Sequence, residues 1–107
     1  MSTATDGRRR EHKVRNALIE HGWELIARSA ASKGPADLIM AHPERGQVLV
    51  QVGTASKQCG PAVRRRLLHA ADLCSATPVI AQVVRFRGIR YWHLGPGPAS
   101  TWEEWTP

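Results

Sequence analysis

The chain has 107 residues, 42% of them hydrophobic, which allows one domain with a modest core and argues against disorder. No apolar run approaches the length of a membrane span and MSTATDGRRR lacks the apolar stretch of a signal peptide, so the expectation is a cytoplasmic, nucleoid-associated protein with no membrane partner. Fifteen Lys and Arg against nine Asp and Glu leave a net charge of +6, a balance that attracts polyanions, while Cys59 and Cys74 match no metal-binding pattern.

Residues 1–7 read as a flexible leader. A helical pattern runs from Arg8 to a stop at Gly22, with Val14, Ala17, Leu18 and His21 forming its inward stripe. Glu11 falls on that same stripe, where a carboxylate is out of place unless the helix has frayed there or the acid points into a polar site at the end of the core. WELIARSAASKG reads as a strand in which Leu25 and Ala27 alternate against Glu24, Ile26 and Arg28. ADLIMA and QVLVQV are two further strands joined by the turn HPERG. On the second of them Val48, Val50 and Val52 form an apolar face, and Leu49, Gln51 and Gly53 the opposite, amide-bearing one.

TASKQCG is a loop, and Pro61 opens a second helix with Val63, Leu67, Ala70, Ala71 and Cys74 turned to the sheet. That phase leaves Arg64, Arg65, Arg66, His69 and Asp72 towards water. TPVIAQVV is an apolar strand, and RFRGIRYWHL a turn followed by a last strand ending at Leu94. Residues 95–107 read as an extended tail whose Trp102 and Trp105 pack back on the body, so that residues 8–94 make a single domain. The order helix, three strands, helix, two strands predicts an α/β fold with a central mixed sheet flanked by helices.

Basic residues cluster at Arg8, Arg9, Arg10, Lys13 and Arg15, at Arg64, Arg65 and Arg66, and at Arg85, Arg87 and Arg90. Three clusters in so short a chain favour a nucleic-acid partner. Asp37, at the start of one strand, and Gln51, near the end of the next, match the spacing of a nuclease metal site, in which oxygen ligands suit a hard cation such as Mg²⁺. An Asp before an apolar strand is also an ordinary turn or cap residue.

The run from Glu11 through HGWELIARSAASKGPADLIM to VLVQVGTASK resembles the archaeal-type Holliday junction resolvases of the PD-(D/E)XK, restriction-endonuclease-like superfamily. In that family an early helix carries a Glu, a phrase like HGF..VRSAGSK..DL delivers a Ser and an Asp, and a phrase like IEVK supplies a second acid and a Lys. The resemblance places Glu11, Ser32, Asp37 and Gln51 at these positions, and implies a restriction-endonuclease-like fold, branched or four-way-junction DNA as substrate, a homodimer, and Mg²⁺, with Mn²⁺ as a substitute. It implies Asp37, Gln51, the Val52 carbonyl and Glu11 as metal ligands; for such a substrate the basic residues and the turn before Asp37 make Arg8, Arg9, Arg10, Lys13, Arg28, Ser32, Lys33, Arg64, Arg65 and Arg66 the expected DNA contacts.

Two positions depart from the pattern. Gln51 offers a neutral amide in place of a carboxylate, and Gly53 stands where the Lys belongs. Lys57, in the loop after the strand, and Lys33, before Asp37, are lysines whose flexible stems could bring a charge back, and Lys57 completes the expected catalytic set of Glu11, Asp37 and Gln51. Three readings stay open: a metal-dependent endonuclease for branched DNA, a DNA-binding protein on the same scaffold with impaired catalysis, and a protein-interaction module.

Overall fold

The computed structural model describes residues 3–28, 36–54, 60–84 and 88–107. Its elements are helix α1 (Thr3–Glu20), strands β1 (Glu24–Arg28), β2 (Leu38–His42) and β3 (Gly46–Thr54), helix α2 (Pro61–Cys74), strands β4 (Thr77–Val84) and β5 (Gly88–His93), and a short β6 (Glu103–Glu104). The six strands lie side by side in sequence order. All pair antiparallel except β3 with β4, which run parallel, as they must when α2 carries the chain back to the end from which β3 started. The expected mixed sheet and element order therefore hold, with one strand added.

α1 begins at Thr3, inside the segment read as a leader. It stops as expected: Gly22 adopts φ 91°, its N–H reaches the Ile19 carbonyl, and the Trp23 N–H reaches that of Leu18, the paired bonds that close a helix through a left-handed residue. Val14 and Leu18 are fully buried and meet Val48, Val50 and Val79 of the sheet. His21 is exposed rather than inward, its Nδ1 lying 2.9 Å from the Ala17 carbonyl oxygen.

On the opposite face Leu67 and Ala71 of α2 cover Leu49 and Ile80. The β3 face that carries Gln51 is thus itself core at Leu49, because each helix takes one side of the sheet. The inward stripe expected for α2 holds at Leu67, Ala70 and Ala71 and fails at its two ends. Val63 and Cys74 are exposed, while Arg64 turns inward, its guanidinium 5.8 Å from the centre of the Trp102 ring. An aromatic partner folded back from the end of the chain holds a residue that helical periodicity assigned to solvent.

β1 also departs from expectation, since all five of its residues are exposed. A register shift between Leu25 and Ala27 breaks the alternation, and the strand lies at the sheet edge. The segment read as a tail forms a 3₁₀ turn (Ala99–Thr101) and then β6, where Trp92 faces Glu104 and His93 faces Glu103. Its two tryptophans do pack back, one on each side of the sheet. Trp102 joins the α2 core, and Trp105 meets Tyr91 at 5.5 Å and Trp23 at 5.6 Å on the α1 side.

The closing segment is accordingly part of the fold. Trp105→Ala should cost about 3 kcal/mol of unfolding free energy in a denaturant titration, the scale of a large-to-small change in a core. Leu73→Ala, at a side chain 74% exposed on α2, should stay within about 0.5 kcal/mol.

Candidate functional site

The site lies where the β2–β3 ladder ends. Leu38 pairs with Val50, and the Asp37 main-chain N–H donates to the Val50 carbonyl at 2.9 Å. A continuing ladder would set Ala36 opposite Val52. Instead the Asp37 carboxylate takes the next place, Oδ2 accepting the Val52 N–H at 2.8 Å. The N–H and C=O of a strand residue leave on the same edge, so the Val52 carbonyl faces the same gap as this carboxylate.

Asp37 is the one buried charged residue among those described, 6% exposed. Burial pushes its carboxyl above the usual range, and the Val52 N–H only partly offsets this. Glu11 approaches from α1, its side chain 16% exposed, with Oε1 3.6 Å from Nε of Arg28 at the end of β1. That oxygen is buried and has no hydrogen-bond partner among the described residues. Its carboxyl is pushed up as well, first by burial and then by the Asp37 charge, while Arg28 pulls the other way. The carboxylate that looked misplaced on an apolar helical stripe is therefore half-buried beside Arg28 and within range of a second acid's charge.

Gln51 follows Leu49 on the α2 side and sits opposite Ile80 of β4; Gly53 sits opposite Gln82. The Asp37 carboxylate is thus held at Val52, with the Gln51 amide one position earlier on the adjoining sheet face and Glu11 against Arg28 on the α1 side. Ser32, Lys33 and Lys57 lie outside the described residues. Of the expected DNA contacts, Arg8, Arg9 and Lys13 on α1 and Arg65 and Arg66 on α2 are exposed, and Arg10 is half-buried. Arg64 is corrected from a solvent-facing contact to a residue held against Trp102, and Arg28 is engaged with Glu11.

Among the described residues no group of three or more His, Cys, Asp or Glu side chains is placed to hold a metal. Two carboxylates and a strand carbonyl remain as oxygen donors, with one buried carboxylate oxygen unpartnered. This hard-donor set fits Mg²⁺ or Mn²⁺ and carries less negative charge than three acids would. Sequence reading did not single out Gln82 and Trp92, and took Arg90 only as one of a basic cluster; the register brings all three onto the sheet face of Gly53. Alternation along each strand was legible, but not which strands would be neighbours.

A carboxyl whose pKa is higher folded than unfolded binds its proton more tightly when folded, so stability falls as pH rises through that interval and stays lower above it. Asp37→Asn removes this penalty and keeps an oxygen for the Val52 N–H. It should raise Tm at pH 7, with the gain shrinking as the pH is lowered through the raised folded value towards the ordinary carboxylate range and the wild-type carboxyl takes up its own proton. A lower Tm at pH 7 would contradict the upward shift.

Neither a protein-family model nor a curated protein matches the sequence. Among solved structures the chain is similar to that of Hjc from Archaeoglobus fulgidus, a Holliday junction resolvase from an archaeal hyperthermophile. The TM-score is 0.68 at 17% identity, over 81% of this chain and 76% of that one. At that identity the likeness concerns architecture, and this chain has the α/β fold of the archaeal resolvase.

Proposed function

We propose that this chain is a metal-dependent endodeoxyribonuclease that cuts branched DNA, the four-way junction first among its substrates. The observation that carries the reading is the buried Asp37 carboxylate held on the Val52 N–H at the open end of the β2–β3 ladder of a resolvase fold, with a second half-buried acid, Glu11, near enough to feel its charge. Asp37 and the Val52 carbonyl, with Glu11 and the Gln51 amide beside them, would hold Mg²⁺ or Mn²⁺. When bound, the cation supplies positive charge to the phosphate and acidifies a water for attack on it. The Val52 N–H that Asp37 accepts would orient it for this, and Glu11 would receive a proton or hold the attacking water.

Arg8, Arg9, Lys13, Arg65 and Arg66 supply exposed charge for the phosphate backbone, with Ser32 and Lys33 expected to add contacts near the site. A homodimer suits two symmetric cuts in a four-way junction. β1 is an edge strand among the described residues and exposes Leu25 and Ile26, features that would serve self-association. The second reading, a DNA-binding scaffold with weakened catalysis, is favoured by Gly53, which has no side chain to stabilise charge on the phosphate. Losing one such group costs on the order of 10² to 10³ in rate.

Cleavage of a labelled four-way junction in Mg²⁺ or Mn²⁺, beside a chelated control, tests the nuclease reading. Gly53→Lys should raise the rate by about 10² if no other cation has taken over the position, and Lys57→Ala should abolish wild-type cleavage if Lys57 has. A folded, DNA-binding Gly53→Lys protein that is inert, together with an inert wild type, leaves the scaffold reading. Junction affinity should fall with salt at a log–log slope of about −4 to −5, corresponding to roughly five neutralised phosphates, and replacing Arg65 and Arg66 together should flatten it by about 2. A slope shallower than about −1 would remove nucleic acid as the partner.

A further inference from the structure

The geometry points to Arg90 as the cation that serves the phosphate in place of the lysine missing at position 53. This inference rests on the nuclease reading above and adds a residue to it. Gly53 of β3 faces Gln82 of β4, and Gln82 faces Arg90 of β5. Cross-strand partners project to the same side of a sheet, so the three make one row across its α2 face. Two strand spacings separate the ends of that row, about 9.5 Å between backbones, a distance that a long arginine stem covers in large part.

Gly53 places nothing over its own backbone. Gln82 is drawn aside, its Oε1 accepting the indole N–H of Trp92 at 3.0 Å. The same indole carries the guanidinium of Arg90, which lies 4.8 Å from the ring centre. Trp92 therefore holds the intervening amide and supports the cation, an arrangement that keeps the stem ordered while the charged end stays exposed to an incoming phosphate. A guanidinium suits the task because it is always charged and presents a planar fork to phosphate oxygens.

Among the described residues, Arg28 and Arg64 near the site have partners of their own. Arg28 is paired with Glu11, and Arg64 lies against Trp102. A lysine at 53 would reach the phosphate from directly beneath; Arg90, swinging from its place over Trp92, would approach the same point from two strands away. The pairing of Gly at 53 with an Arg at 90 is then a relocation of positive charge along one row of the sheet, not its loss.

The test is a double-mutant cycle on the full chain: wild type, Arg90→Gln, Gly53→Lys and the combined variant, with Arg90→Lys as the charge-conserving control. Each is assayed for single-turnover cleavage of a labelled four-way junction in Mg²⁺, for junction affinity in chelator, and for Tm. Arg90→Gln should slow cleavage by about 10²-fold, with affinity changed by less than about threefold, and Arg90→Lys should retain a substantial part of the rate. In the Gly53→Lys background, removing Arg90 should matter by less than about threefold, because the lysine has resumed the role. A wild type that cleaves and an Arg90→Gln variant that matches it overturn the assignment and leave the nuclease reading standing. Equal losses in both backgrounds, or a loss confined to affinity or Tm, also overturn it. An inert wild type beside an active Gly53→Lys variant shows that no cation serves the position and overturns it too, whereas four inert proteins that bind the junction overturn both readings.

Discussion

The bond from the Val52 N–H to the Asp37 carboxylate determines what the end of the sheet can do. Where a main-chain carbonyl would have extended the β2–β3 ladder, an acidic side chain takes its place, so the two strands stop pairing without leaving the N–H bare. The same bond aims the carboxylate along the sheet plane and leaves its other oxygen and the Val52 carbonyl facing the gap. Burial makes the arrangement costly for a charged group, as the upward shift of Asp37 shows. A fold selected only for stability would place an amide or a hydroxyl there. Retaining ionisable acids at some cost in stability is characteristic of functional sites.

Everything else positions that gap. Because β3 runs through the middle of the sheet and is covered on both sides, its end is held rigidly by Val48 and Val50 under α1 and by Leu49 under α2. The two helices also bring in unlike chemistry. α1 delivers Glu11 to the gap from one face, and α2 spreads Arg65 and Arg66 over the other. The closing tryptophans lock both sides: Trp105 completes an aromatic group with Trp23 and Tyr91, with the Arg45 guanidinium 4.9 Å above its ring, and Trp102 captures Arg64.

Charge in this protein is therefore of two kinds. Exposed arginines and lysines on the helices are free to meet phosphates, and their effect is general and salt-dependent. Arg28, Arg64 and Arg90 each have a specific partner, a carboxylate or an indole ring, and act where that partner holds them. A count of basic residues does not distinguish the two groups, although they differ in what they can contribute to binding and to chemistry.

Much was determined by sequence alone. The helix stop at Gly22, the hairpin through Arg45 and Gly46, the start of α2 at Pro61 and the alternation along β3 follow from local steric and hydrophobic rules, so they can be read residue by residue. Glu11 was conspicuous for the same reason, as an acid on an apolar stripe. Tertiary structure decided what depends on neighbours distant in the chain. Helical periodicity could not foresee that Trp102 would fold back and turn Arg64 inward, nor that a register shift at an uncovered edge would expose all of β1. Pairing of β4 with both β3 and β5 set Gly53, Gln82 and Arg90 in one row, although each strand by itself specified only which way its side chains face. Strand neighbours are chosen by packing over the whole sheet, and for that reason this row of the candidate site emerged only with the fold.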